Sequence, residues 1–245
     1  MKVNVLGTSC TWFTRNNTSF IIDDDIVFDV PSGNYKLITQ NIDVKKIKCV
    51  LISHFHSDHF GDLRIITTEF LRHFEQFGRS EHLRIYGPKG IAQRIIDANI
   101  IFCSAKDEQS MEKLTKYIDF IELEDGFEFE EGGYKIKAYK MVHGAAETFG
   151  FTFEDESGKT VAFPADTAMC DNLHKMLENA NVAFVEMSAV KPSLSHLNVD
   201  DFIELSKKYS NLVMYPVHTS DLSHDYAVEK GYKLNYLNDG DVLEV

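Results

Sequence analysis

Several features of exported or membrane-bound proteins are absent from this sequence of 245 residues. No stretch approaches the roughly 18 consecutive apolar residues that a membrane span requires. The N-terminal segment lacks the apolar run and the small-residue cleavage site of a signal peptide. The four cysteines, at positions 10, 49, 103 and 170, lie far apart and form no Cys-x-x-Cys pair. These absences predict a cytoplasmic protein with reduced thiols and no membrane association.

Positive charge is also scarce, because 25 lysines and arginines face 38 aspartates and glutamates, for a formal net charge of −13. A surface this acidic repels phosphate backbones at long range, which disfavours an extended nucleic acid as partner. A small anion that is drawn to a bound metal ion stays possible, since the charge of the metal dominates at short range.

The chain contains no low-complexity tract and no evident linker. Short β-rich runs alternate with amphipathic segments, which predicts two stacked sheets with helices outside, a four-layer α/β arrangement. The predicted strands are Val3–Leu6, Ser19–Ile22, Ile26–Asp29, Val50–Ile52, Leu83–Tyr86, Ile118–Leu123, Lys135–Met141, Thr148–Phe153, Thr160–Phe163, Val182–Val185 and Leu212–Tyr215. The predicted helices are Asp62–Phe77, Gly90–Ala98, Lys106–Lys116, Asp171–Asn179 and Val199–Tyr209.

The segment His54-Phe55-His56-Ser57-Asp58-His59 is the strongest chemical signal in the sequence. It directly follows the apolar run Cys49–Ile52, so a buried strand delivers four potential ligands onto one loop. Imidazole and carboxylate groups are the ligands of zinc-like cations, and their clustering lowers the ordering cost of a site. The alternative is a solvated polar loop whose histidines are accidental.

Three further candidate ligands, His143, Asp166 and His218, follow predicted strands. Each one alone is more simply a hydrogen-bonded histidine or a turn aspartate. Side chains at strand ends are held by a rigid scaffold, as a hydrolytic site requires. Their joint placement therefore predicts additional ligands for a metal site.

The sequence HFHSDH matches the HxHxDH signature of the metallo-β-lactamase superfamily, and the chain resembles that family over essentially its whole length. The resemblance implies a four-layer αββα fold that forms a single domain over residues 1–245. It also implies two bound divalent ions, for which zinc is the first expectation and manganese the alternative. It implies that His54, His56 and His143 bind one ion, that Asp58, His59 and His218 bind the second, that Asp166 bridges them, and that Asp29 supports the histidine loop.

A narrower resemblance, to the ribonuclease Z branch of the superfamily, concerns Glu186 and His196. Members of that branch carry a glutamate at a strand end and a histidine near a helix start, beside the metals. The resemblance implies that Asp58, Glu186 and His196 are the catalytic residues, with His196 donating a proton to the leaving group. The alternative is a surface pair or a helix-cap contact.

The chain departs from the tRNA-processing enzymes of that branch, which usually carry a long arm between the third histidine and the bridging aspartate. Only 22 residues separate His143 from Asp166 here. The compact form is similar to cyclic-nucleotide phosphodiesterases, including the phage anti-Pycsar enzymes, and implies a small phosphodiester as substrate. The alternatives are a tRNA 3′-endonuclease, a lactonase or thioesterase on the same metal site, and a non-catalytic nucleotide binder.

Two apolar features permit either a functional or a structural interpretation. The loop Cys10–Asn17, with Trp12, Phe13 and Arg15, suits stacking on a base and pairing with a phosphate, or simply covers the core. A stripe of Ile66, Phe70, Phe74 and Phe77 on a predicted helix suits a homodimer interface or core packing. We expect a homodimer.

Overall fold

The computed structural model of the chain describes residues 1–10, 15–100 and 111–245. Buried, apolar-rich runs form the strands in these ranges. The strands are β1 (Lys2–Gly7), β2 (Ser19–Ile22), β3 (Ile26–Phe28), β4 (Cys49–Leu51), β5 (Leu83–Gly87), β6 (Ile118–Glu122), β7 (Glu128–Glu131), β8 (Tyr134–His143), β9 (Ala146–Glu154), β10 (Thr160–Phe163), β11 (Val182–Glu186), β12 (Val213–Val217) and β13 (Val242–Glu244).

Eight α-helices and one 3₁₀ turn (Val44–Lys46) lie within the same ranges. The helices are α1 (Tyr35–Asn41), α2 (Ser57–Phe60), α3 (Leu63–His73), α4 (Ile91–Ile100), α5 (Met111–Leu114), α6 (Asp171–Asn179), α7 (Val199–Lys208) and α8 (Asp221–Glu229). The helix predicted over Lys106–Lys116 falls partly outside the described residues. None of the helices described is both long enough and apolar enough to cross a membrane.

The strands form two mixed sheets. The first has the order β13-β1-β2-β3-β4-β5-β6, and the second the order β12-β11-β10-β9-β8-β7. Strands β3 to β6 run parallel to one another, as do β10 to β12, whereas the remaining neighbours pair antiparallel. A tight turn through Gly132 and Gly133, both at positive φ, joins β7 to β8.

Aromatic side chains fill the space between the two sheets. Phe20 and Phe28 of the first sheet contact Phe163 of the second, with ring centroids 5.2 and 5.5 Å apart. The rings of Phe163 and Phe184 stack at 4.7 Å. Each fully buried phenylalanine contributes about 1.5–3 kcal/mol relative to an exposed one. This shared core holds the sheets face to face.

Helices cover the outer face of each sheet. Ile38 of α1 and Phe70 of α3 pack on the first sheet, and Leu173 of α6 and Phe202 of α7 pack on the second. The predicted four-layer αββα fold class is therefore confirmed.

The apolar stripe offered as a dimer interface is part of the core of this chain. Ile66 and Phe70 are completely buried, Phe74 is 7% exposed, and Phe77 packs against the same cluster. The interpretation of this stripe as an interface was wrong, because the first sheet already covers it. The oligomeric state itself stays a prediction.

Candidate metal centre

The metal-ligand candidates meet where strands of both sheets end. Strand β4 leads into the loop that carries His54, and α2 then turns back to bring Asp58 and His59 beside it. The other candidates lie at or just after strand ends: Asp29 after β3, His143 on β8, Asp166 after β10, Glu186 on β11 and His218 after β12. The two sheets thus position side chains that are far apart in the sequence.

One cluster contains His54, His56 and His143. The Nδ1 atom of His56 lies 2.9 Å from His54 Nε2 and 3.2 Å from His143 Nε2. Two ligand atoms that are each bound about 2.0–2.1 Å from a tetrahedral ion lie about 3.3 Å apart. Both measured separations are therefore close to the spacing of two ligands on one ion, and all three nitrogens lie within 4.8 Å of one another.

A second cluster contains Asp58, His59 and His218. The Nε2 atoms of His59 and His218 are 3.3 Å apart, and Asp58 Oδ2 lies 3.5 Å from His218 Nε2. The distance from Asp58 Oδ2 to His59 Nε2 is 3.8 Å. These separations also allow the three atoms to bind a single metal ion.

Asp166 lies between the two clusters and faces both. Its Oδ2 atom is 3.8 Å from His143 Nε2 and 3.4 Å from His218 Nε2, and its Oδ1 atom is 3.5 Å from His59 Nε2. The side chain is almost fully buried, and Oδ1 has no hydrogen-bond partner among the described residues. A buried carboxylate oxygen left in this way fits a cation as its partner.

The protonation of His54 and His56, two of the five candidate histidine ligands, suits metal binding. Burial, together with the charges of neighbouring histidines, lowers the pKa of His54 well below its usual range, and burial also lowers the pKa of His56. Both imidazoles are therefore neutral at pH 7, which is the form that binds a metal ion. The fold and these clusters indicate a divalent metal site.

The ligand rings are oriented through their outer nitrogens. Asp29 accepts a 2.7 Å hydrogen bond from His59 Nδ1 and is itself held by the backbone and hydroxyl of Ser53. The Ser53 hydroxyl also lies 3.0 Å from His54 Nδ1, and His143 Nδ1 donates to the Ser195 carbonyl at 2.7 Å. Asp29 thus lies where sequence analysis placed it, whereas the contributions of Ser53 and Ser195 were missed.

Glu186 and His196 form a hydrogen-bonded pair beside the clusters. His196 Nδ1 lies 3.0 Å from Glu186 Oε1, and Glu186 is also held by the Thr167 backbone N–H and the Ser188 hydroxyl. Burial alone would lower the pKa of His196, but the hydrogen bond and charge of Glu186 raise it above its usual value. The pair is therefore not the simple surface contact offered as an alternative, since Glu186 is almost fully buried.

The neighbouring loop residues belong to neither cluster. Burial and the nearby carboxylates of Asp166 and Asp58 raise the pKa of Cys10 to about 12, so its thiol is not a ready ligand. The Arg15 guanidinium donates to the hydroxyl of Thr219 at 2.8 Å. Trp12 and Phe13, which were considered for base stacking, lie outside the described residues.

Known proteins resemble this chain in sequence and in fold. It is 32% identical to a ribonuclease Z of Ligilactobacillus salivarius strain UCC118 over 133 residues, which are 53% of this chain and 38% of that enzyme. The first curated relatives are matched over no more than about half of their length.

Two solved structures share the fold across the chain. The metallo-β-lactamase fold protein YhfI of Bacillus subtilis aligns with a TM-score of 0.77 at 18% identity, covering 100% of this chain and 99% of that one. A diphosphatase of the PhnP family aligns with a TM-score of 0.73 at 18% identity, covering 100% and 97%. The family model of the anti-Pycsar protein Apyc1 matches residues 1–243. This chain, with a metallo-β-lactamase fold and two clusters of candidate metal ligands, therefore belongs to the anti-Pycsar Apyc1 family.

Proposed function

We propose that this chain is a metal-dependent hydrolase of small phosphodiesters, cyclic nucleotides first among them. The observation that carries the proposal is the placement of the Glu186–His196 pair beside two ligand clusters that share Asp166. A metal site alone would equally well support nucleophilic attack on a carbonyl carbon, as in a lactonase or a thioesterase. A proton donor at its edge suits a reaction whose leaving group is an alkoxide.

The seven candidate ligands would hold two divalent ions, one at each cluster, with Asp166 between them. A ligand set made of nitrogen and oxygen donors suits zinc, which we propose first, and manganese, which is the alternative. When bound, such ions generate a nucleophile from water at neutral pH and neutralise charge on the phosphoryl oxygens. The residues of the chain supply the geometry and the proton.

His196 is the residue that would donate the proton to the leaving oxygen. Its Nδ1 atom is bonded to Glu186, which leaves Nε2 for the substrate. The raised pKa keeps the ring protonated closer to neutral pH, and its side chain is 28% exposed. Glu186 would orient the ring and stabilise its charge without touching the substrate.

A small substrate is favoured by the local structure and by charge. The 22 residues between His143 and Asp166 form only strand β9, a turn and strand β10, as predicted, so no arm projects there. The net charge of −13 opposes binding of a long polyanion. The description of the matched family, and the diphosphatase that shares the fold, also favour a small substrate.

A second candidate function is tRNA 3′ processing. It is favoured by the similarity to curated ribonuclease Z enzymes, which covers 53% of this chain in one case and 63% in another. The short connection before Asp166 and the acidic surface rank it below the first candidate.

The proposal is tested with a panel of cyclic mono- and dinucleotides, a precursor tRNA, a thioester and a lactone. We expect turnover of at least one cyclic nucleotide and little action on the other substrates. His54→Ala should abolish the activity, whereas His82→Ala should not, since His82 is not a candidate ligand and pairs with the exposed Asp119 of β6. Efficient tRNA cleavage without turnover of any cyclic nucleotide would reverse the ranking.

The expected homodimer needs a different surface from the buried helix stripe. Leu194, in the loop before His196, is 91% exposed, and Leu222, at the start of α8, is 67% exposed. A contiguous patch of exposed apolar side chains is typical of an interaction surface. We propose that Leu194 and Leu222 belong to one such patch and that this patch, rather than α3, forms the dimer contact.

A further inference from the structure

His218 has an unfavourable backbone conformation for its residue type. Its φ angle is +48°, in the left-handed region that residues with a Cβ atom seldom adopt. Such conformations persist only where the surroundings enforce them, and they concentrate at functional sites. Contacts with other parts of the fold must therefore hold His218 in this conformation, because the backbone preference of a histidine disfavours it.

No hydrogen bond from the described residues fixes the outer nitrogen of the His218 ring. His54, His59 and His143 each have an outer nitrogen near a hydroxyl, a carboxylate or a carbonyl oxygen. The corresponding Nδ1 atom of His218 is buried and has no hydrogen-bond partner among the described residues. Histidine ligands of metals normally use this nitrogen to fix the ring. The orientation of His218 therefore depends on its main chain.

The hydroxyl of Thr18 is the group that holds this main chain. Thr18 Oγ1 accepts a buried hydrogen bond from the His218 backbone N–H at 3.1 Å. The same hydroxyl donates to the Ser9 carbonyl at 3.2 Å, so its lone pairs are aimed at His218. Thr18 is itself 5% exposed, which shields both bonds from water.

The next residue, Thr219, is fixed by the same N-terminal segment. Its N–H donates to the Thr8 carbonyl at 3.0 Å, and its carbonyl accepts from the Cys10 N–H at 3.1 Å. Its hydroxyl accepts from Arg15 at 2.8 Å. The loop after β12 thus has its conformation set by hydrogen bonds to Thr8, Cys10, Arg15 and Thr18, about 200 positions away in the sequence.

We propose that Thr18 is a positioning residue for the metal cluster of Asp58, His59 and His218. Its hydroxyl fixes the left-handed conformation of His218 and so aims Nε2 at that cluster. The cluster of His54, His56 and His143 does not depend on Thr18, because neither it nor its supporting hydrogen bonds involve this residue. The inference rests on the proposed function, since it requires that the second cluster holds an ion.

Thr18→Val keeps the shape of the side chain but leaves the buried His218 N–H without its acceptor. We expect the affinity for one of two zinc ions to fall 10- to 100-fold, the loss typical of supporting residues at metal sites. Thr18→Ser keeps the acceptor oxygen and should bind both ions as the wild type does. Thr67→Val is the matched control, since Thr67 is equally buried but its hydroxyl bonds within α3.

The measurement is a zinc titration of the metal-free proteins in competition with a chromophoric chelator, with thermal unfolding as the check on folding. Wild-type affinity for both ions in Thr18→Val overturns the inference, and so does an equal loss at both clusters, which indicates general loosening. If Thr18→Val does not fold, Thr18→Ala removes the same hydroxyl without placing a methyl group against the N–H. A wild-type protein that binds no zinc overturns the proposed function instead.

Discussion

His196 lies beside the two clusters and is not one of the seven candidate ligands. Its Nδ1 is bonded to Glu186, and its ring lies edge-on to His143 at 4.7 Å. For His196→Ala we expect unchanged metal content and a 10²- to 10⁴-fold lower rate on substrates with an alkoxide leaving group, the range for loss of a general acid. A nitrophenyl ester should be affected much less, since nitrophenolate leaves without a proton.

His174→Ala is the matched control for this experiment, because His174 bonds to Tyr209 on the outer helix layer. It should leave both rates unchanged. Equal losses on the two leaving groups in His196→Ala would mean that His196 binds the phosphate instead of donating a proton. Loss of a metal ion would mean that the ligand assignment is wrong.

Glu186 gives a prediction about pH dependence. Only protonated His196 can donate a proton, so the rate with an alkoxide leaving group should fall as pH rises through the His196 pKa. Because the carboxylate of Glu186 raises that pKa, Glu186→Gln should move the falling limb of the kcat profile to lower pH. A limb that stays in place in Glu186→Gln would show that another group controls it.

The residues of the centre were predictable to different degrees. The ligands of the histidine loop follow one another within six positions, so their spacing alone indicates the site. Thr18, Ser53 and Thr167 act through hydroxyl or backbone hydrogen bonds to residues that lie up to 200 positions away. No spacing rule connects such pairs, because only the fold brings them together.

At the scale of elements, strand β9 has a glycine where the backbone after β10 approaches closely. A Cβ atom at Gly150 would lie 2.7 Å from backbone atoms of Pro164, just before Asp166. Because backbone cannot move aside, we expect Gly150→Ala to lower the free energy of unfolding by about 1–3 kcal/mol. Chemical denaturation of the metal-free protein measures this change.

Gly87 in β5 is the matched control for Gly150. A Cβ atom there would meet the Cδ1 end of the Ile91 side chain, which can rotate away. Gly87→Ala should therefore cost less stability than Gly150→Ala. The reverse order would contradict the importance assigned to the close approach of β9 to Pro164.

The strands and helices that sequence analysis missed have a weak apolar pattern or none. Strand β7 reads Glu-Phe-Glu-Glu and lacks an apolar alternation, yet Glu131 is buried against Arg84 of the other sheet. Helices α1 and α8 bury only one and two residues, so their apolar periodicity is weak. In contrast, β10 and α6 were predicted with their observed bounds, since each has a clear buried pattern.

For the whole molecule, the contact proposed through Leu194 and Leu222 predicts a dimer in solution. Light scattering at micromolar concentration should give twice the chain mass of 28.0 kDa. Replacing both Leu194 and Leu222 by serine should shift the particle to the monomer, whereas Val242→Ser, on the edge strand β13, should not. A 28.0 kDa particle for the wild type would contradict the dimer.

The central claim is that two ions at clusters bridged by Asp166 support hydrolysis of small phosphodiesters. The most direct test is cyclic-nucleotide turnover by the metal-free protein during a titration with zinc, repeated with manganese. We predict no turnover without metal and a rate that reaches its plateau at two equivalents per chain. Full turnover by the metal-free protein would contradict the claim, as would a protein that is loaded with two ions and cleaves no phosphodiester.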